Sequence, residues 1–181
     1  LIRFVKNEKA ALGILTGVAS ILIAYYGSKI WLSLFEITEW DFLCYYLNGK
    51  ACAEGLSLYD PVSFAQVMNS VSLPFPLSDS FYHQAVATGV LFPPTTMLLV
   101  APLGYMDVYT ANVIWRILVL GFLIIDMALI YKLFRIDKSK WLQLLIIFVL
   151  TMTFPGTGST LGYAQTNFFL LFFILLVYQD P

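Results

Sequence analysis

The sequence predicts an all-α fold: a polytopic bundle of transmembrane helices with a long extracytoplasmic first loop that carries interfacial helices. Of the 181 residues, 60% are hydrophobic and only 12% are charged, about half the charged share of ordinary globular domains. The mean hydropathy is +0.81. The apolar runs are continuous and do not alternate with polar residues, which disfavours a β-barrel. The net charge of −1 gives no field that attracts nucleic acid, so no nucleic-acid partner is expected.

Five apolar segments are the candidate helices, near residues 10–35, 90–106, 111–134, 141–154 and 161–178. The first is uncharged from Ala10 to Gly27, which is long enough to span a bilayer and too long for a typical cleaved signal peptide. The third is also long enough, whereas the second and fourth are short for a full crossing. Gly156 to Thr160 predicts a flexible turn between the fourth and fifth segments.

Basic residues beside two of these segments predict the sidedness of the protein in the membrane. They are Arg3, Lys6 and Lys9 before the first segment, and Lys132, Arg135, Lys138 and Lys140 around the end of the third. The positive-inside rule places both groups in the cytoplasm. Five full crossings would put the second group outside, whereas a second segment that dips into the membrane and returns puts it inside. The sequence leaves both arrangements open.

The first outer loop, residues 36–89, is polar and too long for a simple connector, and loops of this length are usually functional. Asp41 to Glu54 is expected to form a helix that Gly55 caps. Leu58-Tyr59-Asp60-Pro61 predicts a turn, and Ser63 to Met68 predicts a second short helix. We expect these helices to lie on the membrane surface, in contact with the headgroups of the lipid bilayer.

Asp41 is the leading candidate for chemistry, because it follows the first apolar segment at the membrane surface. A carboxylate just outside hydrocarbon loses part of its hydration, so its charge is costly unless a cation or hydroxyl shares it. It is therefore either an anchor for a helix end or the working group of an active site. Arg116 and Asp126 lie within the third segment and are functional candidates by default, although each has the alternative of reaching the headgroups.

No motif in the sequence indicates a bound cofactor or metal ion, and none is expected. The chain has no Walker loop, no dinucleotide-binding glycine pattern and no metalloprotease helix motif. Cys44 and Cys52 make no metal-ligand spacing with the single His83, and we interpret both as small structural side chains. Any substrate chemistry is therefore expected from side chains at the membrane surface.

A series of short motifs follows in order along the chain: Asp41-Phe42 with Tyr45-Tyr46, Gly55 with Leu58-Tyr59-Asp60-Pro61, Phe92-Pro93-Pro94 with Ala101-Pro102-Leu103, Ala111 with Trp115, and Gly162-Tyr163-Ala164-Gln165-Thr166-Asn167. Their order and spacing resemble the N-terminal part of the membrane glycosyltransferases of C-type fold, most closely glycosyltransferase family 87, the polyprenol-phosphate-mannose-dependent mannosyltransferases. The family usually has an adjacent Gly-Gln pair, whereas Gly162 and Gln165 of this chain are not adjacent. The chain starts at Leu1 without methionine, and the family's chains are longer. We therefore expect residues 1–181 to be the N-terminal part of one such transmembrane domain, inactive alone.

The resemblance implies a sugar transfer at the outer face of a multi-pass protein in the cell's inner (plasma) membrane. A polyprenyl-phosphate-linked sugar, mannose in the family, would enter laterally between helices and be passed to a lipid or glycan acceptor. Asp41 would act as general base on the acceptor hydroxyl. The implied substrate-binding residues are Glu39, Tyr45, Tyr59, His83, Gln165 and Asn167.

Two other classes of protein stay open as alternatives. A membrane transporter would use Arg116, Asp126 and broken helices at mid-membrane, and it would show internal repeats, which we do not find in these residues. A non-enzymatic membrane scaffold would need none of the loop around Asp41.

Overall fold

The computed structural model describes residues 8–35, 37, 41–57, 60–73, 76–88, 99–133 and 139–178. Within these ranges the chain is helical and contains no β-strand, so the predicted all-α class is confirmed there. The α-helices are α1 (Glu8–Phe35), α2 (Asp41–Ala53), α3 (Pro61–Ser70), α4 (Asp79–Thr88), α5 (Val108–Leu133), α6 (Lys140–Thr153), α7 (Pro155–Tyr163) and α8 (Asn167–Val177). A 3-10 helix covers Ala101–Tyr105.

Two of the described helices are long and apolar enough to cross a membrane: α1 with 28 residues and α5 with 26. They correspond to the first and third predicted segments. α6 and α7 are joined by a bend of 69° and would form a third crossing if the pair counts as one span. α8 is an apolar helix of 11 residues. The helices indicate a membrane protein, and the total number of crossings stays a prediction.

The chain divides into two compact units, which are described separately. Unit 1 comprises Leu1–Ser33 and Arg116–Pro181, and unit 2 comprises Leu34–Trp115. Unit 1 therefore contains α6, α7 and α8 with most of α1 and α5. Unit 2 contains α2, α3, α4 and the 3-10 helix.

Aromatic contacts and long-range hydrogen bonds join the helices of unit 1. Phe122 of α5 packs on Phe169 of α8 with ring centroids 4.1 Å apart, and it meets Phe172 edge-on at 5.2 Å. The Tyr26 hydroxyl of α1 donates to the Met152 carbonyl of α6 at 2.9 Å. Close packing and hydrogen bonds between helices are what hold apolar helices together in lipid, where hydrophobic burial contributes little.

The start of α1, the end of α5 and the start of α6 lie together at one end of unit 1. The Ser139 N–H donates to Oε1 of Glu8 at 3.3 Å. Ser139 is also the N-cap of α6, because its hydroxyl oxygen accepts from the Leu142 N–H at 3.2 Å. In the first turn of α6, the Gln143 amide donates to the Tyr131 carbonyl near the end of α5 at 3.0 Å. The starts of α1 and α6 and the last turns of α5 therefore share one end of this unit.

In unit 2, α2 packs against the 3-10 helix through two glycines. A Cβ at Gly49 would overlap the carbonyl of Val100, and a Cβ at Gly104 would overlap the carbonyl of Gly49. Only glycine permits this backbone approach. The Tyr46 hydroxyl adds a hydrogen bond of 3.0 Å to the Met106 carbonyl just after the 3-10 helix.

The predicted helix from Asp41 to Glu54 is confirmed, with its last helical residue at Ala53. Gly55 has a φ of +67°, the left-handed conformation expected of a C-terminal cap. The Leu56 N–H donates to the Ala51 carbonyl at 2.9 Å, and the Gly55 N–H donates to the Cys52 carbonyl at 3.1 Å. These two bonds form a Schellman motif and satisfy carbonyls that the helix leaves without partners.

The second predicted helix of the loop is longer than Ser63 to Met68, because α3 starts at Pro61. The Asp60 carboxylate accepts from the N–H groups of Val62 at 3.3 Å and Ser63 at 3.1 Å. An aspartate N-cap followed by proline at the first helical position is a strong helix start. The predicted turn at Asp60-Pro61 is therefore the cap of this helix.

α4 was not predicted from the sequence. The Ser78 hydroxyl oxygen accepts from the Phe81 N–H at 3.3 Å, as an N-cap does. Asp79 lies in the first turn of the helix, where its charge is favourable. The pair Ser78-Asp79 was the signal available for this helix.

The predicted flexible turn at Gly156 to Thr160 is wrong, because these residues lie within α7. Pro155 occupies the first turn, where its missing N–H costs nothing. The Thr157 and Thr160 hydroxyls donate to backbone carbonyls, at 2.6 Å to Thr151 and at 2.8 Å to Gly156. The fifth predicted segment, 161–178, is divided accordingly: its first three residues end α7, and α8 begins at Asn167.

Some predictions fall outside the described residues. They concern Glu36, Glu39, Leu58-Tyr59, Phe92-Pro93-Pro94 and the basic residues at 134–138. At the described end of the 90–106 segment, the chain forms the short 3-10 helix with Pro102 near its start. Whether that segment dips or spans stays a prediction.

Candidate active site

Asp41 is the first residue of α2, where a carboxylate interacts favourably with the helix dipole. Its side chain is half-buried. Cys44 lies one turn further along. Burial, and to a lesser extent the charge of Asp41, raises the pKa of the Cys44 thiol to about 12. The thiol is therefore protonated at neutral pH and unsuited to nucleophilic chemistry. Of these two side chains, Asp41 is the one suited to acid–base chemistry.

Tyr45 and Asn48, expected on the same face of α2 as Asp41, are buried in unit 2. Tyr45 is 3% exposed, and its ring centroid lies 5.2 Å from that of Trp115. Asn48 is 1% exposed, and its amide donates to the Cys44 carbonyl at 2.6 Å. Tyr45 thus helps to join α2 to the first turns of α5, and its binding of a sugar stays a prediction.

His83 lies on α4 and is exposed. The Tyr82 ring meets it edge-on, with centroids 6.0 Å apart. Unit 2 therefore carries three of the predicted site residues, Asp41, Tyr45 and His83, while Glu39 and Tyr59 lie outside the described residues. Across the ranges that the structure describes, no three His, Cys, Asp or Glu side chains are grouped closely enough to hold a metal ion.

In unit 1, the structure brings Gln165 and Asn167 together at the junction of α7 and α8. Ala164 ends α7 in the left-handed conformation, with φ 56° and ψ 44°. The Gln165 N–H then donates to the Thr160 carbonyl at 3.1 Å. The Asn167 side-chain amide donates to the Thr160 hydroxyl oxygen and to Oε1 of Gln165, both at 2.9 Å. The two predicted residues are thus linked to each other and to the last turns of α7.

A cavity of about 720 Å³ lies beside this junction in unit 1. Its wall is mostly aliphatic and aromatic, and includes Ile130, Ile146 and Phe168. Thr160 and Asn167 add polar groups to the same wall. This volume is in the range of ligand-binding cavities, which are typically apolar with a few polar groups. The arrangement suits a molecule with an apolar chain and a hydrogen-bonding head.

Arg116 and Asp126, the two charges of α5, are both buried in unit 1. Arg116 is 3% exposed, and its Nη1 donates to the carbonyl oxygens of Leu161 at 3.2 Å and Gly162 at 3.5 Å. Asp126 is 1% exposed, and neither of its carboxylate oxygens has a hydrogen-bond partner among the described residues. Both side chains are thus enclosed by protein, and whether either lies near the depth of the headgroups stays a prediction.

Comparison with known protein families gives a match to the second half of the chain. Residues 91–178 match the family model of glycosyltransferase family 87. The matched residues include α5, α6, α7 and α8, and with them the cavity and the Gln165–Asn167 junction. Asp41, Tyr45 and His83 precede them. No curated protein and no solved structure matches the chain.

Proposed function

From the match to glycosyltransferase family 87, which supports membership of that family and indicates a membrane glycosyltransferase, we propose that this protein transfers a sugar from a polyprenyl-phosphate carrier to a lipid or glycan acceptor. Mannose is the sugar we propose, by resemblance to the family. The reaction takes place at the outer face of the inner (plasma) membrane, in which α1 and α5 are embedded.

The cavity of unit 1 is the observation that supports a lipid-linked donor. An isoprenoid chain needs an apolar surface between membrane helices, and α5, α6 and α8 supply it with Ile130, Ile146 and Phe168. The sugar at the end of that chain carries hydroxyl groups that can donate hydrogen bonds. The Asn167 amide N–H groups donate to Thr160 and Gln165, so the side-chain carbonyl oxygen of Asn167 is the group that we propose accepts from the sugar. The cavity therefore supports a donor with an isoprenoid chain and a sugar.

The sidedness of the protein follows from the end of unit 1 at which α1 starts, α5 ends and α6 starts. Seven of the ten Lys and Arg residues lie at or next to these helix ends in the sequence: Arg3, Lys6, Lys9, Lys132, Arg135, Lys138 and Lys140. The positive-inside rule places this end in the cytoplasm. The connection from α1 to α5, residues 36–107, then starts and ends on the outer side. This supports a 90–106 segment that dips rather than spans.

Asp41 is the general base in this proposal. Its carboxylate takes the proton of the acceptor hydroxyl while the hydroxyl oxygen bonds to C1 of the sugar. The bond between C1 and the lipid-phosphate oxygen breaks at the same time, and the lipid phosphate leaves with the electron pair, which inverts the configuration at C1. This requires the carboxylate within about 3 Å of the hydroxyl. Glu39, Tyr45, Tyr59 and His83 are the proposed sugar-binding residues on this side.

A substitution that fills the cavity tests this function. Ile146→Phe adds a ring to the cavity wall, whereas Ile124→Phe makes the same change at a position of α5 that is 66% exposed. In membranes with equal amounts of full-length protein, transfer of radiolabelled mannose from polyprenyl phosphate is measured. Ile146→Phe should raise the KM for a long-chain donor about tenfold, the scale of a misfit in an apolar pocket.

A donor with a short prenyl chain serves as a second control, because it occupies less of the cavity. It should be affected less than the long-chain donor by Ile146→Phe. If Ile146→Phe and Ile124→Phe alter the KM of both donors equally, the cavity is not the site of the isoprenoid chain.

A further inference from the structure

Arg116 is a buried charge for which the proposed reaction has no role. Its Nη1 donates to the carbonyl oxygens of Leu161 and Gly162, at 3.2 Å and 3.5 Å. These carbonyls belong to the last turn of α7, where a helix leaves its carbonyls without intrahelical partners and carries partial negative charge. A buried guanidinium satisfies both needs at once, since it donates hydrogen bonds and carries positive charge.

The residue that follows this turn has a backbone conformation that needs support. Ala164 has φ 56° and ψ 44°. Among the residues that the structure describes, it is the one non-glycine residue with positive φ. L-residues with a Cβ adopt this conformation only when the surrounding structure enforces it. Ala164 is fully buried, and it lines a small space in unit 1 together with Arg116 and Leu161. The guanidinium therefore lies next to the position at which the chain turns.

The polar groups of the cavity wall depend on the same turn. The Gln165 N–H donates to the Thr160 carbonyl at 3.1 Å, one turn before the end of α7. The Asn167 amide donates to the Thr160 hydroxyl oxygen at 2.9 Å. A shift in the last turn of α7 would therefore move Asn167 in the wall of the cavity.

We propose that Arg116 is a positioning residue: it fixes the last turn of α7 and the left-handed Ala164, and through them it holds Asn167 in the cavity wall. As a consequence, Arg116 sets donor affinity without touching the donor, and this consequence rests on the proposed function. A charge that binds the donor phosphate directly would also set affinity, but it would leave the α7–α8 junction unchanged.

Two readouts on the full-length protein in lipid nanodiscs test this proposal. The first is hydrogen–deuterium exchange of the backbone at residues 161–167, and the second is the KM and kcat for polyprenyl-phosphate mannose. The variants are Arg116→Gln and Arg116→Lys. Asp126→Asn is the matched control, since it changes the other buried charge of α5 and none of the described contacts of the junction.

Arg116→Gln should speed the exchange of residues 161–167 about tenfold, the low end of what losing a charged hydrogen bond implies. It should also raise the donor KM by a larger factor than it lowers kcat. Arg116→Lys should lie between Arg116→Gln and the wild type, because an ammonium keeps the charge but not the forked geometry of the guanidinium. Asp126→Asn should leave exchange at these residues unchanged.

An unchanged exchange rate in folded Arg116→Gln would overturn the proposal. A raised KM without faster exchange would also overturn it, and would assign Arg116 to direct donor binding. Faster exchange without a change in KM would overturn it as well. If Arg116→Gln fails to fold, the same comparison is made with Arg116→Lys. If the wild type transfers no sugar, the proposed function fails by itself, and the exchange data still decide whether Arg116 fixes the junction.

Discussion

Two aspartates show how single carboxylates fix the ends of helices in this protein. Asp60 caps α3 and Asp107 caps α5, each accepting from two backbone N–H groups. A hydrogen bond from the Ser63 hydroxyl, followed by the backbone bonds, holds the pKa of Asp60 below its ordinary value. Hydrogen bonds from Thr110 do the same for the pKa of Asp107. Each bond favours the charged form of the carboxylate.

These caps predict a loss of stability in acid. The folded-state pKa of each aspartate lies below the unfolded value of 3.8. The stabilisation is therefore fully present above pH 3.8 and is lost as the pH falls through the folded pKa. Asp107→Ser keeps a side chain that caps but cannot ionise in this range. Its thermal unfolding temperature, measured in detergent at several pH values, should fall less below about pH 4 than that of the wild type.

The control for this prediction is Asp79→Ser, which also replaces an acidic residue near a helix start. Because Ser78, and not Asp79, caps α4, this variant should keep the acid sensitivity that Asp60 and Asp107 cause. An identical pH dependence for Asp107→Ser and the wild type would show that the Asp107 cap does not contribute to acid unfolding.

At the level of secondary structure, the long apolar helices were predictable and the short polar ones were less so. α1, α5 and α6 follow directly from continuous apolar runs, which have few alternatives in a membrane. α4 and α7 depend on local signals at their starts instead: the Ser78 cap for the first, and Pro155 in the first turn for the second. Glycine-rich composition at 156–162 favoured a turn, although Pro155 is also typical of a helix start.

Sequence reasoning missed the break between α7 and α8. The apolar run at 161–178 predicted one continuous fifth segment. The chain instead turns at Ala164, a residue that rarely adopts positive φ. Just before this turn, the Leu161 carbonyl accepts from Arg116, which lies 45 residues earlier than Leu161. Contacts of this range cannot be read from local composition.

For the molecule as a whole, charge is distributed unevenly along the chain. In the sequence, seven of the ten Lys and Arg residues lie at or next to the helix ends where α1 starts, α5 ends and α6 starts. Residues 36–107 carry Lys50 as their single Lys or Arg residue, beside seven acidic residues, Glu36, Glu39, Asp41, Glu54, Asp60, Asp79 and Asp107. The scarcity of Lys and Arg in this stretch supports the proposed outer position of the Asp41 loop.

The two native cysteines allow this sidedness to be measured. Cys52 is exposed, whereas burial raises the pKa of Cys44 to about 12, so Cys44 has almost no thiolate at neutral pH. A membrane-impermeant maleimide should therefore label Cys52 in intact cells. In a Cys52→Ser background, Lys140→Cys should be labelled only after permeabilisation. Labelling of Lys140→Cys in intact cells would reverse the proposed sidedness.

The sequence singled out candidate residues, but it did not show their geometry. The motifs singled out Asp41 and Asn167, and the structure places them in different units. The cavity beside Asn167 combines α5 with helices that follow it, so no stretch of sequence shows it. Arg116 was recognised as a buried-charge candidate, but its bonds to the end of α7 became visible only in three dimensions.

The proposed sugar transfer with Asp41 as general base is tested by comparing two aspartate variants. Asp41→Asn and Asp79→Asn each remove a carboxylate from the first turn of a helix in unit 2. Both are compared with the wild type at equal protein level, by transfer of radiolabelled mannose from polyprenyl phosphate in membranes. Asp41→Asn should lower the rate by about 10²–10⁴, the contribution of a general base, and Asp79→Asn should not. Transfer that survives Asp41→Asn would contradict the account and return Asp41 to the role of a helix anchor.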